Sequence, residues 1–177
     1  MRRAQRTISN PAELAGVGLF TGESVRMRLL PAEPGSGVVF RRVDLEGSPE
    51  IAALADNLTE PRRRTILKRG DVEVNTVEHL LAACCGLRVD NLVVEIEGSE
   101  VPSVDGSSLP IANALAGAGV VDQDAPRKEF AVCEPLVIEE GDSTLVVLPA
   151  TEGLSIQYLA ELPRNGGGLE SMVAQWS

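Results

Sequence analysis

Histidine is almost absent from this chain: His79 is the only one among 177 residues. Aromatics are also scarce, at 3%, so Val, Leu, Ile and Ala have to build the core. Lys and Arg number 16 against 26 Asp and Glu. The resulting net charge of −10 argues against a nucleic-acid partner, which needs a cationic surface for its phosphates. The short basic clusters, Arg2-Arg3 and Arg62-Arg63-Arg64, are enough for one anionic group. No apolar run approaches the ~20 residues of a membrane span. The N-terminal arginines lead into no apolar stretch, so no signal peptide is visible. The cysteines, Cys84, Cys85 and Cys133, are odd in number and two are adjacent, a poor disulfide framework. These absences point to a soluble protein of a reducing cytoplasm. The length fits one domain, or one domain and part of another, and allows a core to be buried.

What is present reads first as short strands with Gly and Pro between them. Gln5–Ser9 is one candidate. Gly16-Val17-Gly18-Leu19-Phe20-Thr21-Gly22 is a glycine-rich turn with an apolar centre. Glu23–Leu30 alternates through Val25, Met27 and Leu29, the period of a half-buried strand. Pro31–Ser36 is a turn and Gly37–Val43 a further strand. Ile51–Leu54, Thr65–Lys68 and Asp71–Val74 are shorter candidates, with a hairpin tip at Lys68-Arg69-Gly70-Asp71.

Thr76–Cys85 is the clearest helix, with Val77, Leu80, Leu81 and Cys84 at helical spacing on one face. Gly86 is placed to end it as a left-handed cap. Val89–Ile96 reads as a buried strand, and Ser107–Ala118 as a second helix stopped near Gly117–Gly119. A boundary falls near the polar, proline-containing run Gln123–Lys128. Beyond it lie strand-like runs at Phe130–Ile138, Thr144–Leu148 and Leu154–Leu162. The tail from Arg164 shows little besides Gly166-Gly167-Gly168. About 50 residues of strand cannot close a core, so this second unit reads as unfinished.

The chemistry centres on Asn75-Thr76-Val77-Glu78-His79. Asn75 followed three residues later by Glu78 is a capping-box pattern, and Glu78 suits the positive end of the helix dipole. On that reading His79 is a half-buried polar residue with a hydrogen-bond partner. For these residues taken alone, this structural reading is the stronger. The alternative is a metallohydrolase site. An imidazole near a helix N-terminus is disfavoured as a cation and stays available as a ligand. A zinc ion would lower the pKa of its bound water. Glu78 would take that water's proton and pass it to a leaving amine. The two side chains diverge by about 100° on an ideal helix, so only the helix end lets both reach one cleft.

A catalytic zinc usually takes three protein ligands. Cys84 and Cys85 lie off the face of His79 and suit core packing. Asp105 is a possible neighbour, but Asp105-Gly106-Ser107-Ser108 also reads as a turn into a helix N-cap.

Taken in order, these segments resemble the zinc-dependent UDP-3-O-acyl-N-acetylglucosamine deacetylases of lipid A biosynthesis. The resemblance runs from Gln5-Arg6-Thr7 through the glycine-rich turn Gly16–Gly22 and the strand Val38–Leu45. It continues through Thr76–Ala83 and Gly86-Leu87-Arg88-Val89-Asp90-Asn91 to Glu100-Val101-Pro102-Ser103-Val104-Asp105-Gly106-Ser107-Ser108. Six motifs in one order are far more specific than the lone histidine, and they reverse its reading.

The resemblance implies an α+β fold: a two-layer α/β sandwich with a small sheet and helices on one face. The first strands of a second, incomplete similar domain would follow. Residues 1–124 would form the first deacetylase domain, carrying the Glu-His motif, and 125–177 the start of the second, truncated one. It implies Glu78 as general base, His79 as one Zn2+ ligand, and the two further ligands in a second-domain motif lying outside this chain. The implied reaction removes the N-acetyl group from an acylated UDP-N-acetylglucosamine. Arg62–Thr65 corresponds to a segment near the family's site, which makes Arg63 a candidate for the diphosphate. Phe20 stands where many members carry histidine, which implies a modified substrate cleft. With two of three zinc ligands outside it, the 177-residue chain alone is expected to be inactive. The alternatives are a non-catalytic module of the same fold that binds a sugar nucleotide or a partner, or a structural subunit supplying half a site.

Overall fold

The computed structural model describes residues 3–60, 63–151, 153–164 and 168–176, in two compact units, Met1–Arg127 and Lys128–Ser177. In the first unit, alternation builds the sheet. β3 (Ser24–Pro31) buries Val25, Met27 and Leu29 and exposes Arg26 and Arg28. β8 (Leu92–Glu97) buries Leu92, Val94 and Ile96 on the same period. With β2 (Ala12–Val17), β4 (Val38–Arg42) and β5 (Glu50–Ala52) they form a five-stranded sheet in the order β2-β3-β8-β4-β5. All pairings are antiparallel except β4 with β8, which is parallel. A parallel pair requires a crossover, and the chain between β4 and β8 supplies it with β5, the hairpin β6 (Ile66–Arg69)–β7 (Val72–Asn75) and helix α1 (Glu78–Leu87).

α1 buries Leu80, Ala83 and Cys84, and α2 (Leu109–Gly117) buries Ile111 and Leu115. These side chains join Val25, Met27, Leu29, Phe40, Val94 and Ile96 in one apolar cluster. The architecture is therefore α+β, a two-layer sandwich with both helices on one sheet face. Along β3 and β8 the other face carries Arg28 and Glu95, joined by an ion pair at 3.0 Å. Charge on one face and branched aliphatics on the other fix the strand register, because a one-residue slip would exchange them.

A second antiparallel pair ties the ends of this unit together: β1 (Ala4–Ile8) with β9 (Val120–Pro126). The Asp90 carboxylate accepts both guanidinium N–H groups of Arg3 at 2.7 and 2.9 Å and the backbone N–H of Arg6 at 2.9 Å. β9 runs through Gln123–Pro126, the stretch whose polarity suggests a boundary. Gln123 uses its amide inside the fold, donating to the carbonyl of Ala32 at 2.8 Å and accepting from Asn91 at 2.7 Å.

Two helix-end expectations are corrected. Gly86 lies within α1, and Arg88 takes the left-handed conformation at φ 57°. The N–H of Val89 then closes on the carbonyl of Cys84 at 2.8 Å, a Schellman-type end. Leu87 packs against the core, so the helix continues past Gly86. Asn75 does not cap α1. It sits two residues before the helix-opening Val77, and its amide donates to the carbonyl of Ser99 at 2.9 Å.

The described residues of the second unit form two antiparallel strand pairs. β10 (Leu136–Glu140) pairs with β11 (Ser143–Val147) about a tight turn at Gly141, whose φ is +57°. β12 (Ile156–Arg164) pairs with β13 (Gly168–Trp176). The Phe130–Pro135 part of the first predicted run is not strand, and the tail expected to hold little forms β13. Among the residues of this unit whose side chains are described, none is buried. Two-stranded pairs of this size present apolar side chains without enclosing them.

Candidate active site

Four segments meet around the start of α1: residues 18–22, 63–65, 75–79 and 99–101. β7 delivers Asn75 and Thr76 beside Ser99–Val101. The N–H of Asn75 donates to the carbonyl of Ser99 at 2.8 Å, and the N–H of Val101 to the carbonyl of Asn75 at 3.0 Å. Thr76 then turns the chain in the left-handed region, φ 57°, while 2% exposed. A β-branched residue is strained there, at a cost of about 1–3 kcal/mol, so its surroundings must hold it. Val77 follows with helical dihedrals, and Glu78 and His79 open the helix, both half-buried.

Glu78 is fixed from the neighbouring hairpin. Its Oε2 accepts the backbone N–H of Thr65 at 3.0 Å, and the carbonyl of Thr65 accepts the N–H of Val77 at 3.4 Å. The carboxylate therefore bonds across to another segment instead of back to Asn75, which the capping-box pattern required. Val77, at the cap position, has no side-chain capping bond.

Thr76 is held by Glu100. The Thr76 hydroxyl donates to Oε1 of Glu100 at 2.8 Å. The same carboxylate accepts the backbone N–H of Phe20 at 3.1 Å and that of Thr21 at 2.8 Å. Glu100 is fully buried, at 0% exposure. Burial pushes its carboxyl up, but the hydrogen bonds from Thr21, Thr76 and Phe20 outweigh it and hold the group below the ordinary glutamate value. The glycine-rich turn closes around this carboxylate. The N–H of Gly18 donates to the carbonyl of Glu23 at 2.9 Å, and that of Gly22 to the carbonyl of Gly18 at 3.0 Å. Gly18 is required by close approach: a Cβ there would collide with Oγ1 of Thr21 and lie 2.5 Å from Oε2 of Glu100.

Phe20 projects from the turn, 47% exposed, and the guanidinium of Arg64 lies over its ring at 4.2 Å. Arg64 is oriented by its Nε donating to Oδ1 of Asn75 at 3.1 Å. Of the basic run, Arg64 thus joins the cluster. Arg63, the residue singled out from the sequence, is exposed with φ 62°. Arg2 and Arg62 lie outside the described residues.

The remaining candidates sit apart from this cluster in role. Asp105 is exposed, and its Oδ1 accepts the N–H and hydroxyl of Ser107 at 2.9 and 2.8 Å, a turn leading into α2. Cys84 is buried in the core, as its helical position predicts. Cys85 is exposed, a correction to its reading as core packing, because one step along α1 moves it off the buried face. Among the described residues no group of three His, Cys, Asp or Glu side chains could hold a metal ion. Of the residues in this cluster, sequence reasoning gave Glu100 no role. Nothing in its short Glu-Val-Pro-Ser context marks a glutamate that will be buried by a turn 80 positions earlier.

The family model for UDP-3-O-acyl N-acetylglycosamine deacetylase matches residues 5–177. The chain belongs to that family. Relatives bearing the name UDP-3-O-acyl-N-acetylglucosamine deacetylase are similar over most of its length. The protein of that name from Cellvibrio japonicus (strain Ueda107) is 43% identical over 157 residues, 89% of this chain and 52% of the relative. That of Pseudomonas entomophila (strain L48) is 46% identical over 154 residues, 87% of this chain and 50% of the relative. The protein of that name from Thioalkalivibrio sulfidiphilus (strain HL-EbGR7) is 47% identical over 138 residues, 78% of this chain and 45% of the relative. The chain spans about half the length of the curated relatives it matches. No helix among the described residues is long and apolar enough to cross a membrane.

Proposed function

We propose that this chain is the Glu-His half of a zinc-dependent deacetylase. It would act on UDP-3-O-acyl-N-acetylglucosamine in the cytoplasm, in lipid A biosynthesis. Glu78 is the general base and His79 a zinc ligand. Phe20 and the Arg63-Arg64 pair border the substrate, with the arginines facing its diphosphate. Deacetylase family membership together with the Glu78 placement carries this reading: a half-buried carboxylate at the mouth of a helix, one oxygen held by the N–H of Thr65.

A single imidazole is not a metal centre. One histidine with no three-donor cluster among the described residues does not by itself fit a catalytic zinc. What this chain's own residues do is narrower. The Thr65 N–H binds one carboxylate oxygen of Glu78, and the other, with no hydrogen-bond partner among the described residues, would accept a proton from an attacking water. Arg64, stacked on Phe20, presents a planar cation suited to a phosphate oxygen pair. The 177 residues assayed alone are expected to release no measurable acetate.

A chimera tests the assignment. This chain replaces the matched half of the Cellvibrio relative, and acetate release from the acylated UDP-sugar is followed. The chimera is expected to turn over, and Glu78→Ala to cut kcat by about 10²–10⁴-fold, the usual contribution of a general base. A chimera unaffected by Glu78→Ala refutes the role of Glu78. One that folds and binds the UDP-sugar but never turns over favours a binding module.

A further inference from the structure

We propose that Glu100 is a positioning residue: its buried carboxylate clamps the glycine-rich turn to Thr76 and thereby sets the placement of Glu78 and His79. The importance of that placement rests on the reading of Glu78 and His79 as the reacting pair.

Three independent observations converge on it. The carboxylate uses both oxygens on two segments far apart in sequence, the N–H groups of Phe20 and Thr21 on one side and the hydroxyl of Thr76 on the other. Thr76 occupies a left-handed conformation that glycine would adopt without strain, and its hydroxyl is what a glycine would lose. Gly18 lacks the Cβ that would collide with both Oγ1 of Thr21 and Oε2 of Glu100, so the turn closes tightly around this carboxylate. Thr76 lies two residues before Glu78 and three before His79. A change in how it is held rotates the start of α1, with both side chains on it. The same carboxylate fixes the backbone that carries Phe20, so Glu100 sets the base and the Phe20–Arg64 wall relative to each other.

The single histidine gives a direct readout. In the full 177-residue chain, the His79 ring C–H signals are unique in a proton–carbon NMR spectrum. Glu100→Gln keeps the shape but turns an amide donor toward backbone donors. Thr76→Val keeps the branching and removes the hydroxyl. Both are expected to shift the His79 ring signals and the Glu78 amide by more than a linewidth, along with the amides of Phe20 and Thr21. Thr76→Ser, which keeps the hydroxyl, is expected to hold them at the parent positions. Ile51→Val, a core truncation on an edge strand of the sheet, is expected to lower Tm and leave them unmoved.

If the Phe20 and Thr21 amides shift in Glu100→Gln while His79 and Glu78 stay in place, Glu100 merely closes the turn and the proposal fails. Should either variant not fold, Gly18→Ala presses a methyl against the Thr21 hydroxyl and the Glu100 carboxylate from the turn side and is expected to give the same His79 shift. Absence of that shift in folded Gly18→Ala also overturns the proposal. These signals report placement without catalysis, so they stand or fall separately from the chimera assay.

Discussion

The Thr76 hydroxyl and the Glu100 carboxylate meet at 2.8 Å, a bond between a strained turn and a fully buried acid. It joins the segment that opens α1 to the one that follows β8, and through the backbone of Phe20 and Thr21 it reaches the glycine-rich turn.

Breaking this arrangement has a stability cost. Glu100→Gln is expected to destabilise the chain by about 1–3 kcal/mol at neutral pH, because one of the two acceptor oxygens becomes an amide donor facing N–H and O–H donors. Gly18→Ala is expected to cost a similar amount through the steric clash with Oγ1 of Thr21 and Oε2 of Glu100. In a Glu100→Ala background the cost of Gly18→Ala falls in part, since Oε2 is gone while the Thr21 hydroxyl that the methyl also meets remains. Urea unfolding of the three variants and the double mutant measures this coupling.

The pH dependence has a defined sign. The Glu100 carboxyl is held below its ordinary value in the folded chain, so the native state binds its proton less readily than the unfolded state. Its contribution is complete above the unfolded value of about 4.3 and is lost as pH falls through the folded value. The difference in Tm between the parent and Glu100→Gln should therefore be full at pH 7 and shrink in acid below about pH 4. A gap that stays constant through strong acid would contradict this linkage.

The cysteines separate by burial. Desolvation pushes the Cys84 thiol up to about 12, whereas Cys85 and Cys133 are exposed. Iodoacetamide at mildly alkaline pH followed by peptide mass mapping should find Cys85 and Cys133 modified in the native chain. Cys84 should react only after denaturant is added.

Metal retention checks the count of ligands. With one imidazole and no three-donor cluster among the described residues, the purified chain is expected to lose added zinc on dialysis. Elemental analysis showing one zinc per chain after exhaustive dialysis would mean that ligands beyond those described are present.

Much of the sheet was legible because its strands each bury one face. Val25, Met27 and Leu29 alternate with arginines, and that period admits only one register. The hairpin tip at Gly70 was legible because its φ of 60° suits glycine. β9 and β13 were not. β9 is polar and is held in place by pairing with β1, and β13 begins in a glycine run whose partner strand lies upstream. The choice of Arg64 over Arg63 was equally hidden, since only the placement of Phe20 and Asn75 decides which guanidinium has a ring to cover.

By itself the sequence determined the strand periods, the two helices, the excess of negative charge and the local adjacency of Glu78 and His79. These follow from spacing along the chain. Only the tertiary structure decided that Glu78 bonds to Thr65 instead of capping with Asn75, that Thr76 is left-handed, and that Glu100 is buried among donors from a turn 80 residues away. Those are long-range hydrogen bonds, and their partners are set by where the packed sheet and helices bring the backbone, which no local pattern encodes.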